Sequence, residues 1–311
     1  MSNGFALPEN TAPRRTAPAA ALVAAAALLL AGCASTPAPA DTTAALRARL
    51  PKAILSSGVL RIGSDLNYTP VDFRGQDGSP TGLDIDLGNA LAAQLGLRAE
   101  FVDQQFATLI PAVQHHQLDL AMSAVIDTQQ RETGVDANGT QVDPGADFVD
   151  YFLTGTAILV RAGNPLSVVT LDDLCGHTVA LQRGTVQADI AAGQVNVCRQ
   201  AGKTLTVDLF DTDDQALAEV ASGKAAADLN DYPVAAWNTR PDNSAGRFQV
   251  TGALLQTSLY GITVNKADTG LRDALSKALD HLIIGGQYDT IIDKWGAQGG
   301  RLAASEVDGS F

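Results

Sequence analysis

Gly58-Val59-Leu60-Arg61-Ile62-Gly63-Ser64-Asp65-Leu66-Asn67-Tyr68-Thr69-Pro70-Val71-Asp72-Phe73, followed by Asp77-Gly78 and Gly82-Leu83-Asp84-Ile85-Asp86-Leu87, is the stretch that decides the fold. Val59 to Ile62 is a short apolar run that suits a buried strand. It ends in Ser64-Asp65-Leu66-Asn67-Tyr68, an irregular polar segment carrying one aromatic ring. The Asp77-Gly78 pair signals a turn. After Gly82 the residues Leu87, Ala90, Leu91 and Leu95 recur at helical spacing. Strand, polar segment and helix in this order belong to an open α/β sheet, where ligands bind beyond the carboxyl ends of strands. Asp65 and Tyr68 fall at such an end.

The stretch resembles the opening of the family 3 extracellular solute-binding proteins, the amino-acid receptors of ABC importers. Those carry a Tyr/Phe-x-Pro-Phe-x-Phe run, a turn, and Gly-Phe-Asp-Val-Asp-Leu. Here Val71 stands for one aromatic and Leu83 for the Phe. By itself the stretch has a plainer alternative reading, a strand-turn-helix unit with no ligand.

Working outward, Arg14 and Arg15 precede an apolar run over 19–31 that is too short for a permanent membrane span. It closes on Leu30-Ala31-Gly32-Cys33, the pattern of a bacterial lipobox, in which Cys33 takes the lipid and becomes the mature N-terminus. Residues 1–33 are therefore expected to be a lipoprotein signal peptide. The Ala-, Pro-, Ser- and Thr-rich segment 34–51 is expected to be a flexible tether. The expected location is the extracytoplasmic face of the cell membrane, with the lipid as anchor.

The remaining residues suffice for one large or two medium domains. A hydrophobic content of 46% is ample for a core, and the net charge of -13 argues against nucleic acid as a partner. With Cys33 lipidated, Cys175 and Cys198 remain, and an even remainder in an exported protein suggests a disulfide, with two free thiols as the alternative. His177 lies near Cys175, but no metal-ligand spacing accompanies it, so neither metal nor cofactor is expected. Asp136, Asn138, Thr140 and Asp143 imitate part of a calcium loop without completing it, so the 136–147 segment is read as a solvated insertion.

Strands are expected near 101–104, 118–125, 157–160, 179–182 and 225–232, alternating with helices near 107–113, 215–222 and 271–283 and a last one holding Ile291, Ile292 and Trp295. The family likeness continues through Leu118-Asp119-Leu120-Ala121-Met122, Thr128-Gln129-Gln130-Arg131, Asp147-Phe148-Val149-Asp150-Tyr151, Gln182-Arg183-Gly184-Thr185, Asp231-Tyr232-Pro233 and Lys294-Trp295-Gly296. It spans roughly 52 to 298, as one domain pair of ordinary size would. It implies a two-lobe α/β fold of the type II periplasmic-binding-protein kind, each lobe a mixed sheet flanked by helices. Lobe 1 would hold 52–152 plus 258–311 and lobe 2 would hold 153–257, with two crossing strands near Tyr151–Gly155 and Gln256–Tyr260.

The likeness also implies a binding site. Arg131 would clamp a ligand carboxylate through paired, charge-assisted bonds, helped by Ser123, Ala124, Ile126, Thr185 and Val186. Asp231 would take the ammonium. Tyr68 and Phe106 would sandwich the ligand body, and Asp65, Gln182 and Asn230 would read its side chain. Taken singly, Arg131 reads as well as a surface helix arginine, and Asp231 as a turn residue before Pro233. Thr128 fits the N-cap of the Arg131 helix. Three departures stand out: Ile126 where relatives often carry Thr, Asp127 where an apolar residue is usual, and Ala226 for a familiar Asp, with Asp228 two residues on.

The expected function is a lipid-anchored, monomeric receptor for a polar or cationic amino acid that closes on its ligand by a hinge and delivers it to an ABC transporter permease. No residue set demands bond-making, so a binding protein rather than an enzyme is expected. The alternatives are a cyclohexadienyl-dehydratase-like enzyme on the same scaffold, with Asp65 as general acid, and a ligand-sensing lipoprotein.

Overall fold

The computed structural model describes residues 42–136 and 138–310. The signal peptide, Cys33 and residues 34–41 of the expected tether lie outside them. The first elements are α1 (Thr43–Arg47), α2 (Lys52–Ser57), β1 (Val59–Ser64), β2 (Asn67–Tyr68), β3 (Asp72–Arg74), β4 (Pro80–Thr81), α3 (Leu83–Gln94), β5 (Arg98–Asp103), α4 (Leu109–Gln114), β6 (Leu120–Ala121) and α5 (Gln129–Thr133). A long strand, β7 (Asp147–Arg161), follows. Then come β8 (Thr178–Gln182), α6 (Val186–Gln200), β9 (Thr206–Phe210), α7 (Asp213–Ser222), β10 (Ala227–Asp231), α8 (Tyr232–Asn238), α9 (Pro241–Ser244) and β11 (Phe248–Thr251). The chain returns through β12 (Thr257–Val264), α10 (Thr269–Ile284), α11 (Gln287–Lys294) and β13 (Glu306–Val307).

One mixed sheet runs in the order β5-β1-β6-β12-β7-β10-β8-β9. β1 is parallel to β5 and β6, and β8 is parallel to β10 and β9. The reversal between these parallel sets is made by β7 and β12. From Asp147 to Gly155, β7 pairs antiparallel with β12; from Thr156 to Val160 it pairs with β10. β7 therefore changes partner midway and carries the backbone from one half to the other, beside β12. The crossings expected near Tyr151–Gly155 and Gln256–Tyr260 fall on this paired stretch.

Each half buries its own apolar set. One core joins Leu60 and Ile62 of β1, Leu87 and Leu91 of α3, and the α10 stripe Leu271, Leu275, Leu279 and Leu282. That stripe repeats at the three- and four-residue spacing that puts one helix face on a sheet. The other half packs Ile158, Val179, Leu181 and Ala191 on one side of its sheet, and Leu159, Ala216 and Val220 on the other. Cys175 and Cys198 are joined in a disulfide within the former set, with Cα atoms 5.2 Å apart.

Residues 42–51, expected to lie in the tether, belong to the folded body. Thr42 caps α1 by accepting from Ala45 N–H at 3.3 Å, and Leu46 and Leu50 are buried in the first core. The Arg47 guanidinium donates to the carbonyl of Leu95 at 3.1 Å. Two leucines spaced four apart are enough to dock one helical turn, although Ala, Arg and Thr dominate around them. The 136–147 segment is a turn closed on itself, since the Asp136 carboxylate accepts from Asn138 and Thr140 N–H, each at 2.9 Å. Among the described residues no cluster of His, Cys, Asp or Glu is arranged for a metal, and no helix is long and apolar enough to cross a membrane.

Candidate functional site

A small enclosed cavity lies between the carboxyl ends of β1 and β6 on one side and of β8 and β10 on the other. Its free volume is about 10 Å³, roughly one water. Asp65, Tyr68, Phe106, Ser123, Ala124, Ile126 and Arg131 line it from the first half; Gln182, Thr185, Val186, Gln187 and Asp231 line it from the second. All the residues expected from sequence are there except Asn230, and Gln187 is added.

The first-half wall is held in shape by two buried aspartates. Asp84, near the start of α3, accepts from Ala124 N–H at 2.8 Å and from the Tyr151 phenol at 2.8 Å. This fixes Ala124 in a left-handed conformation, φ 51°, that a residue with a Cβ seldom adopts. The Ser123 hydroxyl donates to Asp72 at 3.0 Å and accepts from Asp65 N–H at 2.9 Å. Asp72 and Asp84 are thus supports for the cavity rather than parts of its surface. Burial pushes the Asp84 carboxyl up to about 7 and the Asp72 carboxyl well above its ordinary value.

Arg131 sits on α5 behind its N-cap Thr128, whose hydroxyl accepts from Arg131 N–H at 3.2 Å. Its guanidinium donates to Ile126 O at 2.6 Å and, across the cleft, to Gly184 O at 2.9 Å. It also lies 5.8 Å from the centre of the Phe106 ring. Desolvation lowers its pKa, while Asp189, Asp231 and Asp127 oppose that shift through their charge. Gly184 has φ 81°, and a Cβ there would press on Ala107, so the two halves approach at this point on bare backbone.

Asp231 ends β10 and is 4% exposed. Its Oδ1 accepts from Gln187 Nε2 at 2.8 Å and its Oδ2 from the Tyr68 phenol at 2.8 Å. Burial pushes its carboxyl up to about 6, against hydrogen bonds led by Tyr68 and the charge of Arg131. The Tyr68 proton is shared, because Asn230 Oδ1 lies 2.7 Å away. Asn230 itself is turned out of the cavity; its Nδ2 donates to Asp213 at 2.9 Å and Asp228 at 2.8 Å. Asp65, 2% exposed, accepts from Gln182 Nε2 at 2.7 Å and Asn67 Nδ2 at 2.8 Å. Burial raises its pKa.

The cavity thus presents one guanidinium and two carboxylates, with Tyr68 and Phe106 rings between them. It also receives the N-terminal end of α6, where Thr185 caps by accepting from Ala188 N–H at 3.2 Å. Residues 60–298 match the model of the bacterial extracellular solute-binding proteins, family 3. The chain belongs to that family. This family 3 protein is similar to the arginine-binding protein ArgT of Corynebacterium glutamicum, with 30% identity over 84% of this chain and 82% of ArgT. Among solved structures it resembles an ancestral arginine-binding protein bound to arginine, with a TM-score of 0.68, 30% identity, and coverage of 76% of this chain and 98% of that one. It equally resembles the ancestral amino acid-binding protein AncCDT-1, a precursor of cyclohexadienyl dehydratase, with a TM-score of 0.68, 30% identity, and coverage of 78% and 97%. The two-lobe α/β architecture of these neighbours is the architecture of this family 3 protein.

Proposed function

We propose that this chain is a receptor for a cationic amino acid of the arginine type, held at the extracytoplasmic membrane face by a lipid on Cys33 and handing its ligand to an ABC importer. The reading rests on one observation: Arg131, Asp231 and Asp65 all line one cavity between the two halves. Arg131 and the α6 N-terminus answer a carboxylate. Asp231 answers the α-ammonium. Asp65, with the Tyr68 and Phe106 rings, answers a positive side chain. Relatives named as arginine-binding proteins support the choice of side chain.

Residues 52–152 with 258–311 act as one lobe and 153–257 as the other. Four hydrogen-bonded contacts cross the cleft directly: Tyr68 to Asp231 and to Asn230, Gln182 to Asp65, and Arg131 to Gly184. A ligand replaces them with its own bonds, each contributing about 0.5–3 kcal/mol net depending on charge. Because each lobe supplies part of the site, only a bridging ligand favours the closed form over the open one.

Calorimetry with arginine tests this. Arg131→Ala and Asp231→Ala should each weaken binding at least about a hundredfold, the scale of a charged hydrogen-bonded partner lost from a buried site. Wild-type affinity in both variants would show that the ligand lies elsewhere. The likeness to AncCDT-1 favours a second reading, elimination from a cyclohexadienyl acid with the Asp65 carboxyl as proton donor. Turnover of prephenate or arogenate would establish that reading in place of the first.

A further inference from the structure

Behind the β7–β12 crossing lies a second cavity of about 280 Å³. It shares no lining residue with the Arg131 cavity. Its floor is Phe152 to Gly155 of β7 and Thr257 of β12; one wall is Val71, Leu83 and Trp295, and the other is α8 with Tyr232 and Trp237. Nothing in the amino-acid site uses it.

Three observations give it a chemistry. First, its aromatic walls are pre-set. Trp295 Nε1 donates to Asp86 at 2.7 Å, and the same carboxylate takes Lys294 Nζ at 2.6 Å. Phe73 meets the Trp295 ring edge-on at 5.9 Å. The indole is therefore fixed by contacts outside the cavity, and its orientation costs an occupant nothing further. Second, Arg240 is the one charged residue in the lining. Its guanidinium lies over the Trp237 ring at 5.1 Å and takes part in no ion pair among the described residues. Third, Arg240 reaches from the second half to the first, where its Nη2 would lie 3.5 Å from a Cβ placed on Gly296. A lone unpaired guanidinium in an aromatic-lined cleft complements an anion with a flat apolar body. The cavity volume approaches the lower end of small-ligand sites, about 300 Å³.

We propose that this cavity is a second small-molecule site, for an aromatic monocarboxylate whose ring lies between Trp237 and Trp295 and whose carboxylate pairs with Arg240. The site is separate from the amino-acid cleft and does not depend on which ligand that cleft takes.

The test uses 4-(trifluoromethyl)benzoate as probe, followed by fluorine NMR on the full chain, with and without saturating arginine. The expected result is saturable binding at one site, retained at saturating arginine with an affinity that hinge closure shifts, since the walls come from both halves. Arg240→Gln, which removes the charge-assisted contact, and Trp237→Leu, which removes a ring face, should each weaken it about tenfold. The neutral 4-(trifluoromethyl)benzyl alcohol should bind weakly to wild type and equally to Arg240→Gln. Melting curves establish that both variants are folded. Equal binding by wild type and Arg240→Gln, loss of probe binding in Arg131→Ala without arginine, or no saturable binding would each overturn the proposal.

Discussion

Asp231 illustrates what one residue sets. Its carboxyl is pushed up to about 6 by burial, while the ammonium contact proposed for it requires it ionised. Below that pH a proton must leave before the ligand can bind. Arginine affinity is therefore expected to be level above about pH 7 and to fall by nearly tenfold per unit below about pH 6. Calorimetry across that range checks it, and a flat profile would remove Asp231 from the ammonium contact. Arg131, Asp65 and Asp231 were legible because each sits in a short motif with a defined place at a strand or helix end. Asn230 was not: its Oδ1 meets the same Tyr68 phenol as Asp231, but its amide nitrogen is committed to Asp213 and Asp228. Gln187 was missed because its signal is only the N-cap at Thr185; the first turn of α6 brings it to Asp231.

At the scale of elements, the disulfide ties the segment before β8 to the last turns of α6, spanning a sequence separation of 23. It lies in the second-half core, away from the cleft. The double variant Cys175→Ser/Cys198→Ser is expected to lose about 3 kcal/mol of stability in urea unfolding, the entropy of closing a loop of that size. Arginine affinity should stay unchanged; a large loss of affinity in the folded variant would contradict this separation. The pairing followed from cysteine arithmetic, since a lipidated Cys33 leaves two. The α10 helix was equally readable from its unbroken apolar stripe. α1 was not, because composition over 34–51 averages away two leucines, and only the packing of Leu46 and Leu50 against the first core shows where the tether stops. The α3 motif had a hidden content as well. Asp84 and Asp86 look like surface acids of a first helical turn, yet one shapes the Ala124 loop and the other anchors Trp295.

The whole molecule carries a set of carboxyls that folding forces toward the protonated form. Burial pushes Asp84 and Asp150 up to about 7, Asp213 to about 8 and Asp127 to about 9. For Asp127 the charges of Asp150 and Glu132 add to the effect, and neither of its oxygens has a hydrogen-bond partner among the described residues. In the unfolded chain these groups titrate near about 4. The folded state thus binds more protons between those values, so stability is greatest on the acid side and is lost as pH rises through about 7 to 9. The melting temperature should fall over that window, and Asp127→Asn should flatten the upper part of the decline; a melting temperature that rises there would refute the assignment. The path of the chain has a further consequence. β6 has β1 on one side but finds its second neighbour only in β12, and the first core closes only on α10. A polypeptide that appears amino end first must therefore hold its opening hundred-odd residues unfinished while the intervening piece, complete at β11, can settle. Its earliest-made part is the last to become whole.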